Sequence, residues 1–166
     1  MEFVTKAPEN TSQPSVQLLL ALNAVATTLQ KSITSELKIF AAFQREVVAL
    51  GLRGGISELD ESGELLIFKT IAYSNPIRKI LARYEKKART QAEGFSVRAE
   101  EVDVYWIVVH DGKPVFVPDT STVSSQVVPR QLRSLVKPIL SFLGSPPGIF
   151  APLIYEGRVQ GMLNMV

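Results

Sequence analysis

Two runs rich in apolar residues, 148–155 and 158–166, stand on either side of the dipeptide Glu156-Gly157. No other feature constrains the fold as much. Two strand-like runs joined by a short glycine-containing turn read as a β-hairpin, and a hairpin commits this part of the chain to antiparallel sheet. The second run ends on Leu163, Asn164, Met165 and Val166, with no capping turn and no polar tail. The expectation is a domain truncated at its C-terminal end from a longer chain.

Upstream, GGISELDESGELLIFKTIA holds a second pair of strands around the turn Asp60-Glu61-Ser62-Gly63. A third pair is read in VDVYWIVVHDGKPVFVPDTS, because Asp-Gly is a preferred type I′ dipeptide. A two-residue turn there places Val108 opposite Val115 and Ile107 opposite Phe116. Between these pairs lie helical patterns. Residues 16–33 carry a stripe of Leu18, Leu22, Val25 and Leu29. That stripe suits either a dimer contact or a helix laid on the domain's own sheet, and the pattern does not separate the two. Ser35 is an N-cap residue for a second helix whose expected apolar face is Leu37, Phe40, Ala41, Val47 and Val48, with Gly51 as its stop. Asn75-Pro76 opens a third, with Pro76 near its first position. Residues 129–143 read as a helix kinked at Pro138. Helices interspersed with locally joined hairpins make an α+β domain. The boundaries are a flexible lead-in over residues 1–15 and a single domain over 16–166.

Composition narrows the chemistry. The 166 residues are 46% hydrophobic and 20% charged, within the globular range, and Lys+Arg 18 against Asp+Glu 16 leaves a net charge of +2, too small to specify a polyanionic partner. The absence of cysteine excludes disulfides, thiolate metal sites, a thiol nucleophile and thioether-linked cofactors. The single histidine, His110, sits beside the Asp111-Gly112 turn, where an exposed polar residue is the default. The acids Asp60, Glu61, Glu64, Glu93, Glu100, Glu101 and Asp103 have no spacing that converges two carboxylates, and no phosphate loop, HExxH or GxSxG pattern is present. No metal site and no catalytic residue is expected. Residues 1–6 lack the pattern of a signal peptide and Leu18–Leu22 is too short to span a bilayer, so no membrane contact and a cytoplasmic location are expected.

Two stretches remain as candidates for binding. The helix after Asn75 carries Arg78, Lys79, Arg83, Lys86, Lys87 and Arg89 on one face. Such a face can track phosphates, but an ordinary solvated face explains it better, and nucleic acid is not expected. Residues 119–147 form a long excursion between strands, and long excursions in compact domains tend to carry function. A helix over a sheet edge, with loops at both ends, makes a concave and mostly apolar pocket. The candidate lining is Trp106, Phe116, Leu135, Ile139, Phe142 and Phe150, with Asp119, Thr120, Ser121, Ser124 and Ser125 as polar groups. The alternative is a longer core connection with no ligand.

REVVALGLRGGISELDESGELLIFKTIA resembles the opening of GAF domains. GKPVFVPDTS is similar to their strand ending in aspartate, and FAPLIYEGRVQGMLNMV to their closing hairpin, with Pro152-Leu153, Gly157-Arg158 and Gly161-Met162-Leu163 in the matching places. The resemblance covers residues 16–166. It implies a central antiparallel sheet of about six strands, helices packed on one face, and a small-molecule pocket on the other beneath the excursion. It also implies a regulatory module that dimerises through its N-terminal helix. The implied output is a C-terminal domain of the same full-length chain in a bacterial signalling protein, with a sensor histidine kinase as the expected type. Departures from the family narrow the ligand. The asparagine-lysine signature of cyclic-nucleotide binders has no counterpart here. Without cysteine there is neither a covalent bilin nor the chemistry of the family's methionine sulfoxide reductases. The expected function is therefore a non-catalytic sensory domain, binding an unknown small molecule or dimerising or both, with a ligand-free dimerisation and linker module as the alternative.

Overall fold

The computed structural model describes residues 16, 20, 23, 27, 35–128 and 133–166, without the side chains of residues 135, 136, 139 and 140. The elements in order are α1 (Glu36–Ala49), β1 (Gly54–Leu59), β2 (Leu65–Ala72), α2 (Asn75–Ala88), β3 (Ser96–Arg98), a 3-10 turn (Ala99–Glu101), α3 (Asp103–His110), β4 (Val115–Val117), α4 (Ser121–Val127), α5 (Arg133–Leu143), β5 (Gly148–Tyr155) and β6 (Arg158–Met165). Six strands form one antiparallel sheet in the order β3-β2-β1-β6-β5-β4. The architecture is α+β, as the sequence suggests.

The closing hairpin is built as its residues dictate. Tyr155 pairs with Arg158, and Glu156 and Gly157 both take positive φ, 50° and 74°, as a type I′ turn requires. In the β1–β2 hairpin Asp60 organises the turn. Its Oδ1 accepts the backbone N–H groups of Glu64 (3.1 Å) and Leu65 (2.9 Å), and Ser62 Oγ donates to Oδ2 at 2.7 Å. Pro152, which has no N–H to give, lies in β5 beyond the three residues that pair with β4.

The third expected hairpin does not form. Residues 103–110 are a helix, and the pairing of Val108 with Val115 and of Ile107 with Phe116 is replaced by Val115 opposite Phe150 and Phe116 opposite Ile149. DVYWIVVH is apolar on every side, so it carries neither a period of 2 nor one of 3.6. Its fate is settled by burial three residues apart, at Tyr105 and Val108, with Trp106 and Ile107 turned to solvent. Gly112 still needs its positive φ of 62°, but it follows the Asp111 C-cap of a helix and does not close a hairpin. Residues 121–127, read from sequence as loop, form α4, whose first turn is tied down by Asp119 Oδ1 accepting the Ser121 N–H at 2.8 Å.

The sheet has two differently covered faces. Against one lies α1, capped by Ser35, whose Oγ accepts the Lys38 N–H at 3.3 Å. Its buried residues are Ala42, Phe43 and Val47, with Phe40 and Val48 packed beside them, while Leu37, expected in the core, is 79% exposed and Ala41 is exposed too. Phe43 and Val47 pack with Ile56, Ala72, Ile149, Leu163 and Met165. On the opposite face Tyr105, Val108 and Val123 from α3 and α4 pack with Leu66, Val97, Phe150 and Met162. Helix α1 thus accounts for the expectation of helices on one face, and the short helices of the excursion stand over the other. A bulge in β2 tunes this second face. Ile56 pairs with Thr70 and Ser57 with Phe68, leaving Lys69 as an extra residue. Phe68 then faces the α3 side and Thr70 the α1 side, where Gln44 Nε2 donates to Thr70 Oγ1 at 2.7 Å.

The N-terminal stripe of Leu18, Leu22, Val25 and Leu29 lies outside the described residues. Val16, Leu20, Asn23 and Thr27 are helical and exposed.

Candidate functional site: a cavity between the sheet and the excursion

On either side of the bulge, β2 sends Phe68 and Ile71 to the second face, and Tyr73 follows at its end. Phe150 and Asn164 stand opposite each other in β5 and β6 and line the same space. Over this floor stand Leu81, Tyr84, Glu85 and Ala88 of α2, Tyr105 of α3, and Val123, Ser124 and Val127 of α4. Leu143, Gly144 and Pro146 close it from the end of the excursion. The cavity, partly open to solvent, measures about 290 Å³, at the small end of the usual range for small-molecule sites, about 300–1,000 Å³.

The start and end of the excursion are stitched together at this site. Thr120 donates from both Oγ1 (2.8 Å) and its backbone N (3.3 Å) to the Pro146 carbonyl. Tyr105, whose ring tilts at 48° to Phe150 with centroids 5.9 Å apart, has its phenol pushed well above the ordinary value, chiefly by burial. Burial also raises Tyr73, against the opposing pull of the Arg53 guanidinium. Both phenols are therefore neutral hydrogen-bonding groups at physiological pH. Glu85 is engaged, its Oε1 accepting the Ala92 N–H at 2.7 Å. Among the described residues Asn164 Oδ1 is buried with no hydrogen-bond partner. Arg53, just before β1, is fixed through its backbone, which exchanges hydrogen bonds of 2.9 and 2.8 Å with Val166. Its side chain lines the cavity, and burial lowers its pKa.

Of the residues proposed from sequence, Thr120, Ser124 and Phe150 line the cavity. Phe116 does not. It pairs with Ile149 and packs with the α1 cluster, because neighbouring strand positions face opposite sides. Trp106 points outward from α3, 46% exposed, stacked on His110 with centroids 4.6 Å apart. Phe142 is 60% exposed. Asp119 and Ser121 are exposed and serve the start of α4, and Ser125 is spent on the Thr122 carbonyl at 2.7 Å. The side chains of Leu135 and Ile139 lie outside the described residues. His110 is exposed, its Nδ1 2.9 Å from Asp111 Oδ1. All six cations of the basic helix are exposed, and its apolar side, through Leu81 and Tyr84, faces the cavity. Among the described residues no cluster of three or more histidines and acids gathers to hold a metal, and no helix is long and apolar enough to cross a membrane.

Sequence reasoning did not find Arg53, Tyr73, Tyr105 or Asn164. Asn164 carried a usable signal, being polar inside an apolar run and on the same face as Met162 and Val166. Arg53 carried none.

No protein-family model matches the chain, and no curated protein matches it. Solved structures do. The GAF domain of a phosphoenolpyruvate-protein phosphotransferase from Coxiella burnetii is similar with a TM-score of 0.57 and 12% identity, over 91% of this chain and 79% of that one. Residues 122 to 287 of a methyl-accepting chemotaxis protein are similar with a TM-score of 0.53 and 14% identity, over 85% and 77%. The free methionine-R-sulfoxide reductase from Neisseria meningitidis, solved in complex with its substrate, is similar with a TM-score of 0.54 and 13% identity, over 92% and 76%. The fold of this chain is the GAF fold.

Proposed function

We propose that the domain is a regulatory module of a signalling protein that binds a small molecule in the cavity between β2, β5, β6 and the excursion. The observation that carries this reading is the cavity itself: a mostly apolar concavity with a few convergent polar side chains, covered by a segment that is tied at its ends through Thr120 and Pro146 and to α3 through Gln126 and Asp103. A ligand would favour one packing of α4 and α5 over another, shifting the population by its differential affinity for the two. The change would pass to a second copy through the N-terminal helix and on to an output domain of the same chain, in the cytoplasm, with a histidine kinase as the expected type. The chemotaxis-protein fragment, which shares the fold, supports a signalling role. The reductase reminds us that the fold can host a reaction; lacking cysteine, this chain is read as regulatory.

Native mass spectrometry of the protein as purified, before and after denaturation, tests the reading. A bound mass lost on denaturation is the expected result. A dimer without any adduct, which no small molecule stabilises, would instead support a ligand-free dimerisation module. That second reading draws on the apolar side chains of Leu37 and Leu50, exposed at the two ends of α1.

A further inference from the structure

The cavity contains an unmatched cation. Arg53 is half-buried at its edge, and among the described residues its guanidinium has neither an ion pair nor a side-chain hydrogen bond. The acid that shares the lining, Glu85, forms no ion pair with Arg53 and is already engaged by Ala92. The groups nearest in character are the neutral phenol of Tyr73, close enough to feel the Arg53 charge, and the unpartnered amide oxygen of Asn164. Taking a cation out of water is costly unless an anion or several acceptors replace the lost solvent. Phe68, Ile71, Leu81, Phe95 and Phe150 supply the opposite environment a short way off, and it is almost wholly apolar.

Resting on the reading of this cavity as a ligand site, we infer that it takes a small organic monoanion, a carboxylate on an apolar and preferably aromatic body, with its headgroup on Arg53. The planar guanidinium offers a fork that matches a carboxylate in a bidentate pair, and the Tyr73 hydroxyl adds a further donor. The apolar body fills the space against Phe68 and Phe150. The volume of about 290 Å³ holds roughly ten waters, so the body is compact.

The test is isothermal titration with benzoate, phenylacetate and indole-3-acetate, each beside its neutral primary amide of nearly the same shape. At least one acid should bind about tenfold or more tightly than its amide, the scale of one hydrogen-bonded charge contact. Arg53→Gln should remove that preference and Arg53→Lys should restore part of it, with circular-dichroism melting checking that both variants fold. If Arg53→Gln fails to fold, the acid–amide comparison in the unaltered protein and in Arg53→Lys still decides. Equal binding of acids and amides, or a preference that survives Arg53→Gln, overturns the inference and leaves the cavity reading standing. If none of the six binds while the purified protein carries a neutral or cationic adduct, the inference also falls alone. If none binds and no adduct is present, both readings fall.

Discussion

The two faces of the sheet share the same strands and reach opposite results. Ile149 and Phe150 are consecutive, as are Leu163 and Asn164, yet the first of each pair packs under α1 and the second lines the cavity. Under α1 a single long helix inserts Phe43 and Val47 into the sheet and leaves close packing. On the other face the cover is assembled from four separate pieces of chain, α2, as long as α1, and the shorter α3, α4 and α5, which meet around an open space. A continuous helix with one apolar stripe can match a sheet in one docking. Several separate helices joined by loops leave gaps, and gaps can be kept for a ligand.

The largest expected effect tests that contrast directly. Phe43, 0% exposed, should cost about 3–5 kcal/mol when truncated to alanine. Leu81→Ala, on the cavity wall, should cost only about 1 kcal/mol, since the side chain already borders open space. Urea unfolding of both variants gives the comparison, and similar losses would break it. A smaller effect of opposite sign is expected at Ser57, which is wholly buried on the second face with a hydroxyl that has no partner among the described residues. Ser57→Ala should stabilise the domain by about 1 kcal/mol, since it removes an unsatisfied buried group. A loss of stability would mean that the hydroxyl has a partner.

The smallest effect belongs to neither face and serves as a control. The backbone N–H of Leu65 and the hydroxyl of Ser62 hold the Asp60 carboxyl below its ordinary value of 3.8. With a depressed folded pKa, its contribution is complete above the unfolded value and is lost as pH falls through the folded one. Asp60→Asn should therefore flatten the acid limb of the stability–pH curve and leave the cavity's ligand response unchanged.

What could be read from sequence divides along the same line. Glu156-Gly157, Asp60 to Gly63, Ser35 and Pro76 each act through local backbone chemistry, and the structure uses all of them as turns or helix starts. The helix at residues 103–110 escaped because an apolar run with no polar side has no visible period. Strand β3 is only three residues long, too short to carry a pattern. The site was harder still. Its residues come from β2, α2 and the loop after it, α3, α4, α5, β5, β6 and the turn before β1, and which of them face inward depends on register and on the bulge at Lys69. One residue of slip exchanges faces, and for that reason Phe150 lines the cavity while Phe116 packs under α1.

Methyl NMR under xenon pressure tests the central claim most directly, because xenon enters apolar cavities and needs no knowledge of the ligand. The methyl groups of Ile71, Leu81, Val123 and Val127 should shift with pressure in a saturable way. Those of Val47, Ile56, Ile149 and Leu163 should stay still. Shifts of equal size on both faces, or shifts confined to the α1 side, would contradict the account.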